Sequence, residues 1–167
     1  LDAGFRLSIL TKSRLVLRDL DLFEGRSVRV GVTITTTDER WARIWEPFAS
    51  SVADRMAVLR QAKAAGLETA VMFGPLLPGI SDTDAALAEL IALAAELRVD
   101  RVWTDMLNPR PRVWVSVQEV LRRHQPEWHE LYRAILFDAA HRSAYQRELD
   151  QRIRKAAADA GLERRLG

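Results

Sequence analysis

Residues 28–82 read VRVGVTITTTDERWARIWEPFASSVADRMAVLRQAKAAGLETAVMFGPLLPGISD. The β-branched run Val28–Ile34 predicts a buried strand, and Leu67–Phe73 predicts another. Between them, Val52–Ala65 follows Ser50-Ser51, and Asp54 lies three residues after Ser51, the spacing of a capped first turn. Met56, Leu59 and Ala62 give this helix its apolar side, and Gly66 stands where a helix stops. A shorter helix is predicted over Asp38–Trp45, with Trp41, Ile44 and Trp45 on one side. Strand, helix and strand in that order make a parallel unit joined by a right-handed crossover.

The same alternation extends both ways. Upstream, Phe5–Leu10 predicts a strand and Arg14–Phe23, with Leu15, Leu17, Leu20 and Leu22, an amphipathic helix. Downstream, Ser81 is expected to cap a helix over Asp82–Leu97, and Arg101–Thr104 predicts a fourth strand. The fold class is therefore α/β. The architecture expected is a parallel β/α half-barrel, about four strands of a partial TIM-type barrel, with a doubly wound sheet as the other arrangement the pattern allows. From Asn108 the texture changes. The Pro- and Arg-rich NPRPRVW leads into helices predicted over Val115–Arg123, Glu127–Ala140 and Arg142–Ala160. This divides the chain into residues 1–108, the barrel part, and 109–167, a helical extension packed on the sheet.

Composition limits the function classes. The 167 residues are 48% hydrophobic and 29% charged, which suits one globular domain with a real core. No apolar run reaches the roughly 20 residues of a membrane span, and no signal peptide is visible, so no membrane partner and a cytoplasmic location are expected. A net charge of +2 is too weak a field to argue for nucleic acid by itself. There is no cysteine, which excludes disulfides and thiolate-held metal within these residues. His124, His129 and His141 do not pair at helical spacing, and no metal site is expected. The opening LDAGF reads as a helix end with its glycine stop, so the chain is expected to be part of a longer protein.

In parallel β/α folds the chemistry gathers at the C-terminal ends of the strands. Those ends carry Thr11-Lys12-Ser13, then Thr35-Thr36-Thr37-Asp38-Glu39, then Gly74 to Asp82, then Asp105 to Pro109. One rim thus offers an ammonium, several hydroxyls, a Gly/Pro-rich floor and a carboxylate. That set suits a polar ligand with a carboxylate and a sugar. The bland alternative is that Lys12 extends into solvent and the threonines satisfy loop backbone.

Several motifs occur together: TKS after the first strand, the TITT strand, EP followed by a Ser-rich link and an arginine (Glu46, Pro47, Arg55), AAG at a helix end, and Pro75, Pro78, Gly79 and Asp82 in a P-x-x-PG-x-x-D run. In this combination the sequence from about Gly4 to Asn108 resembles radical S-adenosylmethionine (SAM) proteins of the spore photoproduct lyase-like group. The resemblance implies a partial (β/α)₆ barrel, of which this chain supplies strands three to six. It implies a SAM site at the strand ends. Lys12 matches the lysine near the cofactor's carboxylate or ribose, and Thr33 matches a cofactor-bonding hydroxyl, with Thr35 beside it. Pro75 and Leu76 match the strand end that lines the adenine. Arg55 matches the arginine of the EP segment, either a cofactor contact or a partner for Glu46.

The resemblance also implies a [4Fe–4S] cluster on a C-x₃-C-x₂-C loop, which this chain lacks, so the cluster is expected on sequence preceding Leu1 and the chain alone is expected to be inactive. In such a protein the cluster reduces SAM to a 5′-deoxyadenosyl radical. The relatives' substrate makes DNA a candidate partner. Two other readings stay open. One is a Schiff-base aldolase using Lys12. The other is a nucleic-acid-binding module in which Arg110, Arg112, Arg122 and Arg123 grip phosphates beside Trp114. An Arg-rich surface helix with a buried Trp is the favoured explanation of that last segment.

Overall fold

The structure, a computed structural model, describes residues 4–167. Four strands, β1 (Leu7–Thr11), β2 (Val28–Ile34), β3 (Glu68–Leu76) and β4 (Arg101–Met106), form one all-parallel sheet in the order β1-β2-β3-β4. Sequential order with a helical crossover after each strand is the arrangement of a half-barrel. The helices are α1 (Glu39–Trp45), α2 (Val52–Ala64), α3 (Asp84–Glu96), α4 (Pro111–His124), α5 (His129–Phe137) and α6 (Ala139–Asp159). The helical reading of Leu1–Ala3 lies outside the described residues. No described helix is long and apolar enough to cross a membrane.

Side chains alternate along a strand, so β2 has two roles. Val30, Val32 and Ile34 are fully buried against the helical layer, together with Val58, Leu59, Phe73 and Leu90. Gly31, Thr33 and Thr35 take the opposite parity. A Cβ at Gly31 would press within 3.2–3.3 Å of Leu10 and Ala70, so glycine lets β1, β2 and β3 approach on that face.

The elements expected from sequence are present, with shifted ends. β1 runs Leu7–Thr11, and Phe5 lies outside it, largely exposed. Residues 14–23 form a 3₁₀ helix rather than an α-helix, opened by Ser13, whose hydroxyl accepts from the Leu15 N–H at 3.2 Å. β3 continues past Phe73 through Gly74-Pro75-Leu76, because Leu76 pairs with Met106 of β4 after a register irregularity at Gly74-Pro75. α4 begins at Pro111, whose fixed φ suits a first turn, not at Val115. Asp138 divides the last two helices by accepting from Ala140 and His141 N–H groups at 2.9 Å.

The cap of α3 is Thr83, not Ser81. Thr83 Oγ1 accepts from Ala86 N at 3.2 Å, whereas the buried Ser81 hydroxyl accepts from Leu77 N at 2.8 Å and folds the preceding loop. Thr83→Ala is expected to cost about 1 kcal/mol. Ser81→Ala strands a buried N–H and is expected to cost about 1–3 kcal/mol. Urea denaturation of the two variants tests that order.

The C-terminal helices do two jobs. α6 lays Leu149, Ile153 and Ala157 into the main core, and Leu166 bridges to Val102 at the β4 edge. α4 and α5 lie elsewhere, over the strand ends. There Val117, Leu121, Tyr132 and Leu136 form a second apolar cluster with Leu77, Ile80 and Leu107. Tyr132 donates to the Pro78 carbonyl at 2.8 Å and Tyr145 to Asp82 Oδ2 at 2.9 Å, fixing the Pro/Gly loop after β3.

Candidate cofactor-binding site

Lys12 follows the last residue of β1, Thr35 follows β2, and Glu46 follows α1. Parallel register brings Thr11 level with Val32, so Lys12 and Thr35 emerge on the same end of the sheet. Glu46 joins them. Its Oε1 accepts from Lys12 Nζ and from Thr35 Oγ1, the latter at 2.6 Å, and its Oε2 accepts from Arg55 Nη1 at 2.7 Å. The same Arg55 nitrogen reaches the Thr33 carbonyl at 2.8 Å. Thr35 Oγ1 also lies 3.0 Å from the Gly74 carbonyl, tying the ends of β2 and β3 together. The bland expectation that Lys12 only extends into solvent is therefore not met.

Burial grades the three charges. The Arg55 side chain is 1% exposed and that of Glu46 8%, while that of Lys12 is 39%. Arg55 and Glu46 form a sealed ion pair, and Lys12 holds the same carboxylate from the open side. Two cations on one carboxylate leave a net positive charge at the rim. Lys12, with three donor hydrogens, keeps capacity for an outside acceptor.

Burial pushes the Glu46 carboxyl up, but hydrogen bonds from Lys12, Thr35 and Arg55, with the Lys12 charge, outweigh it and hold it below the usual glutamate range. A depressed folded value stabilises the fold above the unfolded pKa and loses that contribution as pH falls through the folded one. The advantage of wild type over Glu46→Gln is therefore expected to be full at pH 7 and to shrink below about pH 4.3. Urea unfolding of both proteins at pH 7 and pH 3.5 measures it.

A cavity of about 340 Å³ opens beside this network. The strand ends supply one wall with Lys12, Thr35, Pro75 and Leu77, and α4 supplies the opposite one with Arg112, Val113, Ser116 and Val117. Lys12, Thr35 and Pro75 are thus brought together on one cavity. Thr33 and Arg55 stand one layer below: the Thr33 carbonyl binds Arg55, and Arg55 reaches the cavity only through Glu46. Leu76 turns away into the helix-side core and is 1% exposed.

Sequence reasoning noted Glu46 only as a motif member and a partner for Arg55. Its hub position depends on contacts 34, 11 and 9 residues away, which no local pattern encodes. An aromatic group behind the cavity was missed altogether. Trp45 stacks on Tyr132 with centroids 6.0 Å apart, Tyr132 on Trp128 at 6.5 Å, and Trp128 on Trp41 at 6.4 Å. The proposed phosphate grip is dispersed. Arg122 and Arg123 share Glu119 at 3.0 and 2.5 Å, and Trp114 packs on His129 and Phe137. The Schiff-base reading is disfavoured too, since such a lysine needs an apolar setting, whereas Lys12 is part-exposed and held by a carboxylate.

No protein-family model matches the sequence. The chain is 36% identical over 115 residues to an uncharacterized protein of Acidianus two-tailed virus, a match covering 66% of this chain and 38% of that protein. It is 33% identical over 141 residues to an uncharacterized protein of Mycobacterium tuberculosis, covering 78% of this chain and 41% of that protein. A protein of Methanocaldococcus jannaschii, also uncharacterized, is 36% identical over 90 residues. The chain spans about two fifths of the length of the curated relatives it matches.

Among solved structures, spore photoproduct lyase with bound AdoMet and dinucleoside spore photoproduct superposes with a TM-score of 0.69 at 15% identity, covering 95% of this chain and 49% of that one. The complex with dinucleoside spore photoproduct gives 0.68 at 16% identity, with the same coverage. The likeness at these identities is one of fold.

Proposed function

We propose that this chain supplies the later, SAM-holding strands of the partial barrel of a radical SAM enzyme of the spore photoproduct lyase-like group. The observation that carries the reading is the meeting of Lys12 and Thr35 on Glu46 at the rim of a cavity at the strand ends. The residues present suit a SAM-like molecule: an ammonium with donors to spare, strand-end hydroxyls, and an apolar cavity wall large enough for a ring. They do not suit the iron–sulfur cluster. The chain has no cysteine, and no group of three His, Cys, Asp or Glu among the described residues could hold a metal ion. In this reading the cluster is held by residues outside this chain.

In this reading Lys12 binds the cofactor's carboxylate. Thr35 faces the ribose, Thr33 supports it from the layer below by holding Arg55, and Pro75 lies beside the ring. Arg55 fixes Glu46 from below, so that Glu46 can hold the lysine in place. α4 closes the far side and keeps water from the reacting end. Bound SAM supplies a 5′-deoxyadenosyl group for hydrogen abstraction. Spore photoproduct lyase is described with a dinucleoside, which makes a DNA lesion the first substrate class to test.

The test is a longer polypeptide that carries this chain together with a C-x₃-C-x₂-C loop. Reconstituted without oxygen with iron and sulfide, then reduced in the presence of SAM, it is expected to release 5′-deoxyadenosine. A preparation that holds its cluster yet never cleaves SAM counts against the reading.

A further inference from the structure

The two walls of the cavity differ in one respect. On the strand-end wall the charged and hydroxyl side chains bond one another: Lys12 and Thr35 bond Glu46, and Glu46 is completed by Arg55, while the buried Trp45 Nε1 beside them has no partner. On the α4 wall they do not. The side chains of Arg112 and Ser116, both exposed to solvent, make no hydrogen bond or ion pair with any described residue. They stand one helical turn apart, on the same side of α4. Between and beside them Val113, Val117 and Val120 present an apolar strip. The other cations of this helix show the contrast, since Arg122 and Arg123 both pair with Glu119.

We infer that the α4 wall is a separate ligand subsite, in which Arg112 meets an anionic group, Ser116 adds a hydrogen bond, and the valine strip takes an apolar ring. The inference rests on the SAM reading only for what occupies the Lys12 side. The ligand class is an apolar ring bearing one anion. Phosphate and carboxylate are the two sources of that anion, and a guanidinium recognises both. The resemblance assigns no cofactor residue to this helix, so the subsite belongs to substrate and would set which substrate is accepted.

The test is calorimetric titration of the full chain with probe pairs that differ only in charge. One pair is thymidine 5′-monophosphate and thymidine, and the other is phenylacetate and phenylacetamide. Arg112→Ala is expected to weaken the charged member of at least one pair about fivefold to tenfold and to leave its neutral partner within twofold. Whichever pair responds identifies the anion. Arg112→Lys is expected to recover part of the loss, and added salt to reproduce it. Equal effects on charged and neutral members, no effect on either, or no binding of any probe at millimolar concentration would overturn the subsite.

SAM itself separates this inference from the reading beneath it. Lys12→Ala should weaken SAM, and Arg112→Ala should leave it within twofold. A tenfold loss of SAM on Arg112→Ala would put that residue on the cofactor and overturn the separate subsite. Arg112-dependent binding of a charged probe without any SAM binding would sustain the subsite and sink the cofactor reading.

Discussion

Glu46→Ala is expected to lower the unfolding free energy by about 3–5 kcal/mol, the largest loss from any single change at the site. The reason is what remains. Arg55, 1% exposed, would keep only the Thr33 carbonyl, and its Nε is already buried without an acceptor. A buried guanidinium without its carboxylate bears the full desolvation cost of an ion. Thr35 would lose its acceptor at 2.6 Å as well and keep only the Gly74 carbonyl at 3.0 Å. The partly exposed Lys12 behaves differently. Its side chain is 39% exposed, and Lys12→Ala is expected to cost only about 0–1 kcal/mol after solvent screening. Replacing both buried partners, as Glu46→Gln with Arg55→Met, is expected to recover a large part of the loss, because no buried charge is then left alone. Urea denaturation of the single and double variants completes a cycle. A loss below 1 kcal/mol for Glu46→Ala would mean that the pair does not hold the strand ends together.

The second large effect is on binding. Lys12→Ala is expected to weaken SAM about 10-fold to 100-fold, the equivalent of one charge-assisted hydrogen bond of about 1.5–3 kcal/mol. Its small cost in stability makes the variant clean, since the fold survives while the ligand contact goes. Thr35→Val should weaken binding less, because only a neutral hydroxyl is lost. Lys63→Ala is a control, as Lys63 pairs with Asp100 at 2.6 Å at the opposite end of the sheet. Calorimetry with SAM gives the ratios. A Lys12→Ala affinity equal to that of wild type, or a loss matched by Lys63→Ala, would show that the amine does not meet the cofactor.

The parallel sheet was legible because Val28–Ile34 and Leu67–Phe73 are short runs rich in β-branched and apolar residues, separated by a capped helix of ordinary length. Shared parity of Thr33 and Thr35 followed from the two-residue period of a strand. Ends were less legible. β3 passes through Gly74 and Pro75, residues that normally stop a strand, because it shifts register against β4 rather than ending. Ser81 and Thr83 both have the chemistry of a cap, and only the buried Leu77 N–H decides between them. The second apolar cluster could not be read at all. Trp45 and Tyr132, or Trp41 and Trp128, are far apart in sequence and meet only because α4 and α5 fold back over the strand ends. For the same reason Glu46 looked like one motif residue among several.

The most direct measurement is a nuclear magnetic resonance titration of the isotope-labelled chain with SAM, following every backbone amide. Binding at the strand-end rim predicts that Lys12, Thr33, Thr35 and Leu77 shift together and saturate at one concentration, while Lys63, Glu68 and Asp100 at the far end stay still. Shifts confined to that far end, or none anywhere in a folded chain, would contradict it.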